Sequence, residues 1–333
     1  MQSGQRLEAA RPPSHLRCFG EPRRRSHGTL ASAARKARAT RVMPALALFV
    51  TAIAVVGAQD ITLPNAADSL KVAIIGDSGT GSSSQNRVAE RLMAVRQKFP
   101  YEFVLMMGDN LYGGSSPADF AKKFENPYKP LLDSGLKFYA TLGNHDNPNE
   151  RYYKGFNMKG ERYYTFKPKG NVRFFSLDSN YMDKPQLEWL EKELAASGSD
   201  WKICFFHHPI YSSGGTHGSD MQLREQLEPL FLKYGVDAVF SGHEHFYERI
   251  KPQKGIYYFI SGGAAKLREG DVERSELTAK AFDTGYHFML VEFGKDTLHF
   301  QVISDQAKTV DSGSLPRVSD EDKKKFATTP SAR

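Results

Sequence analysis

Two imidazoles one residue apart, His243 and His245, follow the apolar run Ala238-Val239-Phe240 in the stretch Gly242-His243-Glu244-His245. Such a pair can point into one space only if the chain turns there, and Gly242 permits the turn. Neutral imidazole is the commonest protein ligand for a metal, so the chemistry open to this pair is metal coordination. Alone it has an ordinary explanation as two surface histidines, and four other stretches must be read with it.

Those stretches are Gly76-Asp77-Ser78-Gly79, Gly108-Asp109-Asn110-Leu111-Tyr112, Gly143-Asn144-His145-Asp146 and His207-His208-Pro209, and each follows a short apolar run. Carboxylates, an amide oxygen, imidazoles and a phenol together suit two hard or borderline cations, with a carboxylate as the natural bridge between them. Singly, each has a plain structural role. Asp77 or Asp109 could cap a helix, Asn144 could occupy a turn, and His207 could be a satisfied buried histidine. Capping and turns do not explain why all five groups stand at the ends of strands.

The elements that must hold them follow from apolar periodicity. Strands are expected at residues 71–75, 103–107, 138–142, 172–177, 201–206 and 237–240. Helices are expected at 82–98, where Val88, Leu92, Met93 and Val95 recur at helical spacing, at 185–196 with Pro185 in the first turn, and at 219–234. Residues 117–132 read as one or two short helices. Residues 147–170 read as a loop overhanging the ligands, residues 256–260, 286–293 and 297–303 as closing strands, and residues 316–333 as a disordered tail. Continuous apolar runs alternating with helices indicate an α/β chain whose sheets are covered by other layers, with the site beyond the carboxyl ends of the strands.

With these five motifs in this order, the chain resembles the calcineurin-like metallophosphoesterase superfamily and, within it, the purple acid phosphatases of the small tartrate-resistant type. The matching pattern is GDSG, GDNLY, GNHD, HHP and GHEH, and the resemblance covers about residues 70 to 295 of a domain placed at 59–315. It implies a four-layer αββα sandwich of two mixed β-sheets flanked by helices. Most of the superfamily has Asp-x-His in the first motif, whereas this chain has Gly79 at that position and Tyr112 three residues after Asp109. A phenolate ligand at neutral or acid pH calls for a strong Lewis acid, which favours trivalent iron.

Carried over by motif, the resemblance implies Asp77, Tyr112 and His245 around iron, Asn144, His207 and His243 around a divalent ion, and Asp109 between the two. The divalent ion stays open among iron, zinc and manganese. The implied activity is that of an acid phosphatase hydrolysing phosphate monoesters by attack of a metal-bound hydroxide. His145 and His217 would stabilise the phosphoryl oxygens or protonate the leaving oxygen, although His217 also reads as an exposed loop histidine. His208 is either a support for the ligands or substrate-facing, Arg249 is expected to pair with a carboxylate, and Gly262-Gly263 to form a turn near the site or a bulge. Two other readings remain open: a phosphodiesterase or nucleotide hydrolase on the same scaffold, and a non-catalytic secreted binding protein.

Charge narrows the partners. The formal net charge is +7, but residues 1–42 hold ten Lys or Arg against Glu8 and Glu21, so the rest of the chain carries a net −1. A nucleic-acid or anionic-membrane scaffold is therefore not expected. Residues 1–42 read as a basic, disordered extension. Residues 43–58, with an apolar run too short for a comfortable span, read as a signal peptide and point to a secreted or otherwise extracytoplasmic protein. A membrane anchor formed by the same segment is the alternative. Cys18 falls in the presequence, which leaves Cys204 as a lone buried hydrophobe, and no Asn-x-Ser/Thr acceptor is present.

Overall fold

The computed structural model describes residues 60–328 apart from 274, so the extension at 1–42 and the signal peptide at 43–58 lie outside the described residues. The strands are β1 (Leu70–Ile75), β2 (Phe103–Met107), β3 (Lys137–Thr141), β4 (Tyr164–Phe166), β5 (Val172–Ser176), β6 (Trp201–Phe205), β7 (Ala238–Ser241), β8 (Tyr247–Gln253), β9 (Ile256–Ser261), β10 (Thr278–Phe282), β11 (His287–Phe293), β12 (Thr297–Ser304) and β13 (Thr309–Pro316). The α-helices are α1 (Ser83–Arg96), α2 (Pro117–Phe120), α3 (Lys129–Asp133), α4 (Lys184–Ala195), α5 (Met221–Tyr234) and α6 (Asp320–Thr328).

They build two mixed sheets. The first has six strands in the order β13-β12-β11-β1-β2-β3, and the second has seven in the order β10-β8-β9-β7-β6-β5-β4. Strands β1, β2 and β3 run parallel, as do β5, β6, β7 and β9. Strand periodicity explains the layering, because alternate side chains of one strand enter different cores. Val72, Ile74 and Leu105 meet Phe174, Ile203 and Phe240 between the sheets. Their neighbours Ala73, Ile75 and Val104 turn outward against Val88 and Leu92 of α1. On the far side Phe175, Cys204 and Val239 pack against Leu190 of α4 and Leu227 of α5. The result is the four-layer sandwich, with Cys204 fully buried as a small hydrophobe.

Local signals place the helices. Ser82 caps α1 by accepting the Gln85 N–H, Asp183 caps α4 by accepting the Gln186 N–H, and Asp220 caps α5 by accepting the Leu223 N–H. Gly235, at φ 69°, ends α5 in the left-handed conformation.

The tail corrects the sequence reading in part: within residues 316–333, expected to be disordered, Asp320–Thr328 forms α6, while residues 329–333 lie outside the described residues. Ser319 accepts the Asp322 N–H at 3.1 Å, and Lys323 is buried with its Nζ on Gly235 O at 3.0 Å and on the carboxylate of Asp237. Composition alone reads this segment as polar; its order comes from one buried lysine meeting a buried aspartate. Residues 147–170 are also less loop-like than expected. They carry short 3₁₀ turns at Pro148–Tyr152 and Lys154–Phe156, then β4, with Phe156 and Met158 fully buried. Among the described residues, no helix is long and apolar enough to cross a membrane.

Candidate metal centre

The strands that end at the site come from both sheets. β1, β2 and β3 lead to Asp77, Asp109 and Asn144, while β6 and β7 lead to His207, His243 and His245. Asp77, Asp109 and His243 have φ of 55°, 50° and 67°, a left-handed backbone that non-glycine residues rarely adopt. Each therefore turns its strand sharply and presents its side chain to a common point. Such strain persists only where the surroundings over-determine it, and it clusters at functional sites.

The donors fall into two groups. In the first, the Tyr112 hydroxyl lies 3.1 Å from Asp77 Oδ1 and 3.2 Å from His245 Nε2, and Asp77 Oδ1 is 3.4 Å from the same His245 nitrogen. In the second, Asn144 Oδ1 lies 3.0 Å from His207 Nε2 and 3.1 Å from His243 Nδ1, and these two ring nitrogens are 3.1 Å apart. Asp109 joins them: its Oδ1 is 3.4 Å from His207 Nε2, and Asp77, Asp109 and His207 each offer a ligand atom within one 4.8 Å cluster. All seven residues singled out as ligands in the sequence thus meet at one place.

The glycines of the motifs serve close approach. A Cβ on Gly79 would sit 1.8 Å from Asn110 O, because the loops after β1 and β2 cross there, with Tyr112 N–H donating to Gly79 O at 2.9 Å. The missing first-motif histidine and the presence of Tyr112 are thus two sides of one crossing. A Cβ on Gly242 would meet Asp77 Oδ2 at 2.6 Å, and Gly262 is equally tight against that oxygen at 2.7 Å, which puts the Gly262-Gly263 turn beside the site.

Electrostatics test whether the donors fit cations. Asp77 is fully buried beside Asp109, and burial followed by that neighbouring charge pushes its carboxyl well above the usual range. Burial holds the His207 and His243 rings far below ordinary imidazole basicity, and burial with Arg268 nearby brings His245 down to about 4. His207 Nδ1 donates to Met107 O at 2.9 Å, so its other nitrogen turns a lone pair toward Asn144. Two clustered carboxylates that lack a counter-charge, and three imidazoles kept neutral with converging lone pairs, form a site that two cations would satisfy.

Around these donors, the His145 ring lies 4.9 Å from the Tyr112 ring, and its backbone N–H donates to Asp109 Oδ1 at 3.0 Å. The His217 ring, exposed on its loop, is 4.3 Å from that of His243, and Arg268 Nη2 donates to its Nε2 at 3.1 Å. His208 lies 4.4 Å, ring to ring, from His243 and pairs with Ser179 Oγ at 2.9 Å. Arg249 pairs with Asp311 at 2.8 Å.

Several supporting residues escaped the sequence reading. Glu244, fully buried between the two histidines, accepts from Gly218 N–H at 2.8 Å and so fastens the loop that carries His217. Burial pushes its carboxyl up to about 7. Asp146 accepts from Leu111 N–H at 2.9 Å and Gly143 N–H at 2.8 Å, tying the second motif to the third. Lys266 places its Nζ 4.5 Å from the centroid of the Tyr112 ring. A carboxylate inside His-x-His and one closing Gly-Asn-His-Asp were visible signals; Lys266 and Arg268 carried none.

A family profile described as calcineurin-like phosphoesterase matches residues 70–247, more than half of the chain. The chain is a calcineurin-like phosphoesterase. This phosphoesterase is 29% identical over 242 residues to purple acid phosphatase 7 of Arabidopsis thaliana, covering 62% of this chain and 73% of that one. It is 25% identical over 301 residues to tartrate-resistant acid phosphatase type 5 of Rattus norvegicus, covering 75% of this chain and 91% of that one. Among solved structures, GAP50, described as the anchor in the inner membrane complex of Plasmodium, superposes with a TM-score of 0.66 at 18% identity over 76% of this chain and 90% of that one. The last likeness concerns the fold alone.

Proposed function

We propose that this phosphoesterase is a dinuclear acid phosphatase that hydrolyses phosphate monoesters outside the cytoplasm. In this reading trivalent iron is held by Asp77, Tyr112 and His245, and a divalent ion, iron, zinc or manganese, by Asn144, His207 and His243, with Asp109 shared. The observation that carries it is the Tyr112 hydroxyl, 3.1 Å from Asp77 Oδ1 and 3.2 Å from His245 Nε2, where a neutral ligand would serve a divalent ion as well. Burial and the two nearby carboxylates push the Tyr112 phenol far above its usual range, so a strong Lewis acid is needed to displace its proton.

When bound, the two ions supply the Lewis acidity and the activated water that phosphoester hydrolysis requires. The chain's own residues supply the geometry. Met107 O fixes the His207 tautomer, Gly79 and Gly242 let the carboxylate loops close in, and Glu244 holds the loop of His217 against His243. His145 and His217 stand at the exposed mouth, where each can donate to a phosphoryl oxygen, and His145 can protonate the leaving oxygen.

The test is steady-state hydrolysis by the full chain, across pH, of an aryl phosphomonoester and the matched diester, with metals assayed on the same sample. A strong monoester preference on the acid side with two metals bound, one of them iron, is the expected result. Diester preference near neutral pH, or no turnover with both metals present, would overturn the reading.

A further inference from the structure

A cleft of about 670 Å³ opens directly beside the second donor group and is lined by Asn144 of that group and by its neighbour His208. Its wall carries Asp178, which is buried, Asp220 at the start of α5, and buried Asp146. The cation on that wall is Arg162, already engaged by Asp178 at 3.3 Å and Asp183 at 2.6 Å. Tyr181, 60% exposed at the rim, offers a ring face, and Gln222 and Gln226 of α5 offer amides. The cleft is therefore polar and acidic, with its guanidinium neutralised from within the protein.

The other donor group has the opposite character. Lys266 lies over Tyr112, and among the described residues no carboxylate forms an ion pair with it. Its position is set by the backbone on either side: Ser84 Oγ donates to Ala265 O at 3.2 Å, and Arg268 N–H donates to His245 O at 3.1 Å. A phosphomonoester lying across the centre would thus have its dianionic end toward the metals and Lys266, and its alcohol toward the cleft.

We propose that this cleft is the leaving-group subsite, and that its carboxylates select phosphomonoesters whose alcohol portion is cationic or uncharged over those whose alcohol portion is anionic. The inference rests on the phosphomonoesterase reading above and adds the substrate class. Asp178 and Asp220 act here on specificity, through the charge they place beside the alcohol, and not on the bond that breaks.

The experiment compares kcat/KM of the metal-loaded full chain for 4-(aminomethyl)phenyl phosphate and 4-carboxyphenyl phosphate, with phenyl phosphate as the neutral reference. The same ratios are then measured for a Gln222→Lys, Gln226→Lys double variant. Gln222 is exposed and Gln226 half-buried where α5 lines the cleft, so urea unfolding of the double variant is measured beside the kinetics, and the double ratio cancels the different intrinsic reactivities of the two esters. At about 6 Å in water, one added charge changes a charged group's affinity roughly threefold, so two lysines acting oppositely on the two esters change the ratio on the order of 100-fold at low salt. The expected result is a wild-type preference for the ammonium ester that the lysines reverse and that added salt weakens. Turnover of phenyl phosphate with no charge preference in either protein would overturn the inference and leave the phosphatase reading intact. If phenyl phosphate is not hydrolysed at all, that reading fails, and calorimetric binding of the two uncleaved esters then decides the cleft's role. Tighter binding of the ammonium ester would support the subsite, and equal binding would refute it.

Discussion

Replacing His287 by leucine should make the protein more resistant to acid. His287 opens β11, is 1% exposed, and has the rings of Tyr247 and Phe282 at 5.8 and 6.3 Å. Among the described residues neither ring nitrogen has a hydrogen-bond partner, the Gly285 backbone lying near but out of bonding geometry. Burial therefore pushes its pKa down from 6.5 to about 4. Above pH 6.5 the ring is neutral folded or unfolded and pH has no leverage through it. Between 6.5 and 4 the unfolded chain binds a proton that the native chain refuses, so stability falls as pH falls, and below 4 the loss levels off. At 1.36 kcal/mol per pKa unit the full penalty is about 3 kcal/mol, of which about 2 kcal/mol has accumulated by pH 5. Urea unfolding of wild type and His287→Leu at pH 7.5 and pH 5.0, at identical metal loading, isolates this contribution, because other titrating groups cancel in the difference. The variant should lose about 2 kcal/mol less than wild type between the two conditions. Equal losses would show that the fold does not keep the buried ring neutral.

Chelation should lower the melting temperature and readdition of metal restore it, since removing cations leaves Asp77 buried against Asp109; metal at 1,000 times Kd adds about 4 kcal/mol per site. An unchanged melting temperature after verified metal loss would contradict this. Gly79→Ala should disrupt the loop crossing, with a cost of about 3 kcal/mol or more and loss of bound metal, read by urea titration and elemental analysis. Asp237→Asn should cost about 3 kcal/mol, because it weakens the pairing of buried Asp237 with Arg317 at 3.1 Å and with Lys323; hydrogen exchange in α6 should accelerate, and unchanged protection there would count against the proposed anchor.

The strands that carry the candidate site were readable because they are buried on both faces and spell continuous apolar runs, as residues 72–75 and Phe103–Met107 do. Their ends were readable because the donor residues interrupt those runs abruptly. Edge strands were not: β10 and β13 lie at sheet margins, present polar side chains to solvent, and so lack the apolar signature. Strand β8 is charged for another reason. Glu248 and Arg249 find buried or half-buried partners in Ser213 N–H, Thr278 and Asp311, all distant in the chain. Lys266, Arg268 and α6 were hidden in the same way. Their places depend on tertiary contacts with Tyr112, His245 and Asp237, and no local pattern encodes such contacts.

The division of the donors between the two sheets has a mechanical consequence. Asp77, Asp109 and Asn144 stand on the first sheet, and His207, His243 and His245 on the second. The faces that join these sheets meet mainly through apolar side chains, with Val72 and Ile74 on one side and Ile203 and Phe240 on the other. Contact of that kind is non-directional and resists sliding weakly. Ions held between the strand ends would act as a suture at one end of the joint. Under a pulling force the loaded protein should yield first at the far end, away from the suture, whereas the chelated protein would shear along the whole joint at lower force.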